Sequence, residues 1–570
     1  MTARTYALVH MLIRNARVWP TDPPVTDLKI TDLKITDLKI TDVRITGGRV
    51  AECAPGLRTA PGEADIDAAG GALLPGLHDH HVHLRALAAA RDSVPAGPPA
   101  VRTVAELLDT LRAADASLPA GTWLRCTGYH ESVAGPLDRL VLDRMLAHRP
   151  VRVQHRTGAL WMLNSAAVAQ LGLDACDLDG VERDGAGRPT GRLWRLDRWL
   201  AARVPRQPPG LTAVSASAAA QGVTGFTDAT PDLTDGDLAT LAAAVADGTV
   251  TQRVYCMAPA GTSPPPGGGA GGGAGGGVRL GPVKIMLDDD TLPPLDELAA
   301  RMRRAHAAGR PVAVHCVTRV QLVLTLAALN AAGRLPGDRI EHGAVIPAET
   351  MPDLRGLTVV TQPHFVAERG EQYATDVAPE DLPDLWRLGS LAAAGVAVAA
   401  GSDAPFGGAD PWQVIRAATR RPANLGPAEA IAPAAALGLF LGEPAAPATP
   451  RRIAPGSPAD LVLLRCPPEE AARSLACDLV AATFVDGRLA YARDALGGIR
   501  ARTRVMSSSY RSPSEVMSSS QVVSRLWCWR ASADRSASMP WSKGRVRVST
   551  RPSVYRARVV PGRSLMWASP

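Results

Sequence analysis

The chain has 570 residues, 46% of them hydrophobic and 21% charged, which allows two or more domains with sizeable cores and excludes a disordered or fibrous composition. No apolar run reaches the roughly 18 residues of a membrane span, so no membrane partner is expected. The net charge of +7 comes from the last 70 residues, which carry 12 Arg and one Lys against Glu515 and Asp534, leaving −4 on the remaining 500; that mildly acidic body lacks the basic footprint of a nucleic-acid binder.

At the N-terminus, "MTARTYALVHMLIRNARVW" holds a short apolar stretch with Arg14 and Arg17 close behind and no small-residue cleavage site. It reads as a strand rather than a secretion signal. Residues 26–45 repeat a pentad, TDLKI-TDLKI-TDLKI-TDVRI. Strand side chains alternate with period two, so copies of odd length turn their Leu and Ile to opposite faces; one copy suffices for a strand, and the others read as an expansion that bulges outward. "RITGGRV" (44–50) then reads as strand, Gly-Gly turn, strand.

From Gly71 short β-branched runs alternate with helical stretches. Eight runs end in polar residues: 72–84, 222–229, 251–257, 282–287, 310–316, 338–343, 356–365 and 395–405. Alternating strands and helices imply a parallel sheet, and eight of them an α/β fold of the TIM-type (β/α)8 barrel kind, here spanning 71–445. Residues 85–221 are too long for one crossover and read as an inserted subdomain with helical runs and a strand, "VRVQHRT" (151–157). "SPPPGGGAGGGAGGG" (263–277) reads as a linker; it lacks the G-K-[ST] ending of a phosphate-binding loop. The strand-rich segments 451–464 and 479–493, within 446–493, are expected to pair with strands of 11–70 in a small composite β-sandwich. Residues 494–570 show no period, hold four of the 11 Trp, and read as a disordered basic tail, with a single-stranded nucleic-acid binder as the alternative. The eight cysteines are scattered without a C-x-x-C pair, which fits a reducing, cytoplasmic setting.

The chemistry gathers at the strand ends. "LPGLHDHHVHLRAL" (74–87) holds His78, His80, His81 and His83, two interleaved H-x-H pairs. Residues i and i+2 of a strand share a face, and the 81/83 pair lies nearer the C-terminal end, where barrel enzymes place their chemistry. Lys284, His315, His342 and Asp403 follow at intervals of 31, 27 and 61 residues, against about 31 for one strand–helix unit. Taken singly, each His is as well explained as a hydrogen-bonded core residue; six positions in step are not. Imidazoles with a carboxylate suit zinc, iron or manganese. A bound metal activates water and polarises a carbonyl, and Asp403 can relay the proton. Lys284 makes sense if carbamylated, as an anionic bridge between two metals; its bland alternative is a buried Lys paired with Asp288 or Asp289.

These motifs, "LPGLHDHHVHL", "GVTGFTDA", "GPVKIMLDD", "VAVHC", "RIEHG", "TQPHF" and "GSDAPFGGADPW", with "APGSPADLVLL" near the end, resemble the amidohydrolase superfamily, in the amidohydrolase 3 branch that includes N-substituted formamide deformylase-like enzymes. The resemblance runs from about Met11 to Arg493. It implies metal-dependent hydrolysis of carbon–nitrogen bonds other than peptide bonds. It makes His81, His83, His315, His342 and Asp403 ligands of one or two metals, Lys284 their carbamylated bridge, and 85–221 a substrate-capping insertion. His130, Trp161, Asn164 and His364 are substrate-pocket candidates, each with packing as the alternative. Two departures bear on the pocket: Ala159 follows Gly158 where the branch has His, and Asp289 follows Asp288 where it has Gly. The expected partner is a small-molecule amide, with homo-oligomerisation open. The competing readings are a one-metal deaminase of a heterocycle and a non-catalytic relative.

Overall fold

The computed structural model describes residues 10–19, 38–205, 210–264 and 277–493. The first pentad copies, most of the Gly-rich linker and the basic tail lie outside the described residues.

Two parallel sheets form the centre of this mixed α/β fold. One orders Leu77–Val82, Val223–Asp228, Arg253–Cys256 and Arg279–Leu280; the other runs from Val283–Ile285 through Val312–Cys316, Arg339–His342 and Thr358–Thr361 to Ala397–Ala400. Every pairing within them is parallel. Their residues are buried almost throughout, which is why the sequence shows continuous apolar runs instead of alternation: both faces are covered. The helix Leu295–Ala307 covers one strand pair with Leu298, Ala299, Met302 and Ala305, a single helical stripe. The next, Arg319–Ala332, starts where the Thr318 hydroxyl accepts the Gln321 N–H at 3.2 Å, satisfying one of its orphan donors.

The two sheets meet at both edges. Only Gly281 and Pro282 separate Arg279–Leu280, paired with Tyr255 and Cys256, from Val283–Ile285, paired with Val312 to Val314; the interruption keeps a backbone bond from Gly281 N to Cys256 O, 2.7 Å. At the other edge Asp403 N donates to His81 O (2.7 Å) and His83 N to Ala404 O (2.9 Å).

The run 72–84, read as one strand, divides at Gly76. Ala72–Pro75 pairs with the chain-end strands, while Leu77–Val82 joins the parallel sheet. A Cβ on Gly76 would lie 2.1 Å from the Thr224 methyl, so glycine is required where the strand changes sheets. Where a composite β-sandwich was expected, the strands from both chain ends form one sheet, joined through Ala72–Pro75: Arg488–Ala492, Val480–Val485, Leu461–Leu464, Ala72–Pro75, Met11–Val18, Ile40–Thr46 and Arg49–Ala54, with Ala64–Asp67 also on Met11–Val18. Leu73, Leu461 and Leu463 enter a small core with Ile13, Ile45 and Phe484, whereas Ala72, Leu74, Val462 and Leu464 enter the large core of the parallel sheets. Strand alternation thus bonds this sheet to the site-bearing one. Of the pentads, only the end of the third and the fourth fall on a described strand, Ile40–Thr46.

Within residues 85–205 lies a fourth sheet, ordered Val181–Arg183, Pro189–Trp194, Leu160–Leu163, Val151–His155, Leu124–Tyr129, Val94–Pro95, with its own cores. No helix among the described residues is long and apolar enough to cross a membrane.

Candidate metal centre

At the C-terminal ends of the parallel strands, His81, His342 and Asp403 bring one ligand atom each within 4.8 Å of one another. His83 Nε2 lies 3.2 Å from Asp403 Oδ1, and the His315 ring centroid is 4.6 Å from that of His342. All five are buried. The backbone is bent to bring two of them in. His342 and Asp403 have φ of +69° and +49°, the left-handed region that L-residues seldom adopt outside constrained sites. The turn carries His342 out of the alternation of its strand.

Burial pushes the imidazoles of His81 and His315 well below their usual range. The next contribution is the Lys284 charge for His81, and the His342 ring followed by Lys284 for His315. Burial lowers His342 as well, against the pull of Asp403. These rings are neutral and carry lone pairs. Burial alone would raise the Asp403 carboxyl, but the group is held below the usual carboxylate range, first of all by its hydrogen bond with His83.

Among the described residues, His81 Nε2, both ring nitrogens of His315, His342 Nε2 and Asp403 Oδ2 are buried without a hydrogen-bond partner. Buried polar atoms are almost always satisfied. A cluster of lone-pair donors left bare in one place fits a cation. Lys284 is buried behind them; burial lowers its ammonium, and Glu341 and Asp403 pull the other way. Neither Asp288 nor Asp289 pairs with it: Asp288 accepts from Arg195 at 2.8 Å, and Asp289 from Thr318 and Gln321 at 2.9 and 2.8 Å.

The other pair of the opening motif goes elsewhere. His78 Nε2 meets Thr227 Oγ1 on the neighbouring strand at 2.8 Å, and Gly225 leaves the space its ring occupies, since a Cβ there would lie 2.3 Å from His78 Nδ1. His80 is buried beside it.

Three supporting groups were not singled out from the sequence. Glu341 contacts His81 Nδ1 with one oxygen and accepts Arg339 Nε with the other at 2.5 Å. Gln362 Oε1 lies 2.9 Å from His342 Nδ1. Asp79 is pushed up to about 6 by burial, while accepting Ser402 Oγ (2.6 Å), Ser402 N (2.9 Å) and His81 N (3.2 Å). Such partners fix the ring nitrogen that remains free for a metal. The available signal was the strand-end setting of "RIEHG" and "TQPHF".

The pocket candidates part company. Asn164 is spent on structure: its Oδ1 accepts Val151 N and Ala167 N, both at 3.0 Å, and its Nδ2 donates to Leu146 O and Arg149 O at 2.8 and 2.7 Å. As N-cap of Ser165–Leu171 it has no capacity left for a substrate, which corrects its reading as a pocket residue. Trp161 Nε1 donates to Asp197 at 2.7 Å. His130 accepts from Gln372 Nε2 at 2.6 Å and sits with Glu131 and His155 in a second cluster. His364 is buried near Phe365 with both ring nitrogens unpartnered.

Parallel strands whose C-terminal ends gather neutral imidazoles around one carboxylate define the class of metal-dependent hydrolases. Residues 65–491 match the amidohydrolase family, and the chain belongs to that family. An N-substituted formamide deformylase of Arthrobacter pascens is 31% identical over 142 residues, 24% of this chain and 26% of that protein, so the match spans about a quarter of that relative. The protein YtcJ of Bacillus subtilis (strain 168) is 24% identical over 415 residues, 64% of this chain and 76% of its own. A metal-dependent hydrolase structure from Pyrococcus furiosus superposes with a TM-score of 0.60 at 19% identity, covering 80% of this chain and 99% of that one. One from Pyrococcus horikoshii OT3 gives 0.61 at 17%, with 80% and 97% covered. These two likenesses concern the fold.

Proposed function

We propose that the protein hydrolyses a non-peptide amide or formamide bond of a small molecule at a metal centre held by His81, His83, His315, His342 and Asp403. The observation that carries this reading is the set of buried, unpartnered ligand atoms at the strand ends. In this reading the two parallel sheets are halves of one (β/α)8 barrel, continuous through Gly281-Pro282, and the metal is zinc, with iron or manganese as chemically equivalent choices. Lys284, if carbamylated, would be an anionic ligand able to hold metal beside the histidines, where its unmodified ammonium would repel it. When bound, the metal supplies Lewis acidity that makes water a nucleophile near neutral pH and polarises the scissile carbonyl.

The chain's own residues do the rest. Asp403 holds the proton of the attacking water at Oδ2 and returns it to the leaving nitrogen. His83 keeps that carboxylate ionised. Glu341 and Gln362 hold His81 and His342 by Nδ1, leaving Nε2 of each for the metal. The formamide deformylase similarity points to N-formyl and N-acyl amines as the compounds to try.

A one-metal deaminase of heterocycles is the second reading, favoured by the tightness of the His81–His342–Asp403 trio. Elemental mass spectrometry of the purified chain beside His81→Ala separates the two. About two metal ions per chain, lost in the variant, with turnover of N-formyl or N-acyl amines, is the expected result. About one ion would favour the deaminase and make Lys284 structural. A folded chain without metal would overturn both.

A further inference from the structure

The inserted sheet turns one face to its own core, through Leu124, Cys126, Val151, Val153, Leu160 and Met162. Alternation puts Arg125, Arg152 and Trp161 on the opposite face, where Trp161 borders a second core with Leu163 and Leu193. Arg125 and Arg152 are register partners on adjacent parallel strands, where like charges repel. Both guanidinium carbons stand over the Trp161 ring, at 5.6 and 5.3 Å.

Both Nε atoms are buried without a partner, and neither side chain makes a hydrogen bond or ion pair among the described residues. Asp92 and Asp197 are the acids whose charge Arg125 feels; neither pairs with it, and Asp197 is committed to Trp161 Nε1. Burial, then the neighbouring Arg125, bring the Arg152 guanidinium down to about 10. Two half-buried cations side by side with no acid paired to either are unfavourable, so their position calls for an anion.

Residues of the inserted segment near this face meet the elements that follow the site strands at three places. Asp92 caps the helix Leu84–Arg91 that follows the His81/His83 strand. Arg195, two residues beyond the Trp161 register partner Leu193, holds Asp288 just after the Lys284 strand, and its charge reaches His315. Arg156 and His130 both bond Gln372, on the helix His364–Asp376 that follows Thr358–Thr361.

We propose that Arg125 and Arg152, braced on Trp161 in the inserted segment that meets the elements following the site strands, seat a carboxylate of the substrate, so that the amides taken by this site are anionic N-acyl compounds. This rests on the amide-hydrolase reading, and the anion seat can be tested apart from it.

The experiment measures binding to the full, metal-loaded chain by Trp fluorescence and calorimetry, comparing N-acetylglycine with its neutral counterpart N-acetylglycinamide. Wild type is expected to prefer the carboxylate by about tenfold or more, as charge-assisted pairing allows. Arg125→Gln and Arg152→Gln should each cut that ratio, and the double variant should bring it near one. A purely structural pair, stacked to support Trp161, predicts instead a lower Tm; removal of a repelling unpaired charge predicts a Tm held or raised. An unchanged ratio, or a lowered Tm with the ratio kept, overturns the proposal. Inorganic phosphate is the second arm: if it binds as tightly as N-acetylglycine and acetate matches both, the pair is an inorganic-anion site and the substrate assignment is wrong. Hydrolysis of both compounds is read in parallel. Charge-dependent binding without turnover of either removes the amide-hydrolase reading and keeps the seat, whereas turnover without charge discrimination does the reverse.

Discussion

Glu341→Gln is a change of one atom that removes one buried charge, and its consequences follow from two contacts. In the native site one oxygen takes His81 Nδ1 and the other takes Arg339 Nε. The carboxylate is all acceptor, so His81 carries its proton on Nδ1 and offers Nε2 as a lone pair. An amide cannot serve both. If its oxygen faces His81, its NH2 faces the Arg339 N–H, donor against donor. If its NH2 faces His81, the ring must put its proton on Nε2, where a metal should bind. Orienting carboxylates of this kind are worth about 10- to 100-fold in metal affinity, which is about 1.4–2.7 kcal/mol. Arg339, whose Nη1 is already without a partner, would also be left a buried cation without its counter-ion. Breaking such a pair costs about 3–5 kcal/mol, so Tm should fall as well. The assay is metal titration against a competing chelator, with circular dichroism to establish the folded fraction. A folded variant whose metal Kd stays within about twofold of wild type, well under the expected span, would refute the role assigned to Glu341.

Further outcomes are expected elsewhere. Asn164→Ala deletes four buried hydrogen bonds at about 1 kcal/mol each, so chemical denaturation should show a loss of about 4 kcal/mol in stability of the inserted segment; a stable variant with only a raised KM would restore the pocket role. His342→Gly and His342→Ala both lose a metal ligand, but only Gly is relaxed at φ +69°. The Gly variant should be more stable than the Ala variant by about 1 kcal/mol, read from urea midpoints. Burial, then the Arg156 charge, lower His130 to about 4. Between pH 6.5 and about 4 the unfolded chain binds a proton that the folded one refuses, so stability present above pH 6.5 is lost as pH falls to about 4 and levels off below. Tm against pH for wild type and His130→Gln should differ in slope only in that window.

The strands of the parallel sheets were legible because burial on both faces writes largely apolar runs, and because polar residues at or just past several strand ends, His342 and Asp403 among them, mark where the chain leaves the core. Single polar positions at unit spacing could therefore be aligned before any coordinates. Glu341 was harder to see. An acid beside a histidine on a strand reads as belonging to the opposite face, and only the left-handed turn at His342 brings both to one side. Asn164 misled for a different reason: an Asn just before "SAAVAQL" is as good a helix cap as a pocket residue, and its partners Leu146, Arg149 and Val151 lie on the preceding segments. Arg125, Arg152 and Trp161 lie on three strands, and nothing local in any of the three foretells their meeting. The split at Gly76 was hidden because Ala72–Pro75 and Leu77–Val82 are only one residue apart and the chain runs through both fully buried.

That shared segment also sets an order of events during synthesis. Leu73 pairs with Leu463, and Arg17 with Glu469, so the stretch leading directly into the His81 strand waits for a partner almost four hundred residues downstream. At about 5–20 residues per second on the ribosome, that partner arrives some 20–80 seconds later. The N-terminal strands can pair with one another in that time, but one edge of Ala72–Pro75 stays open, and the first histidines of the site cannot be clamped from behind until nearly the whole described chain exists.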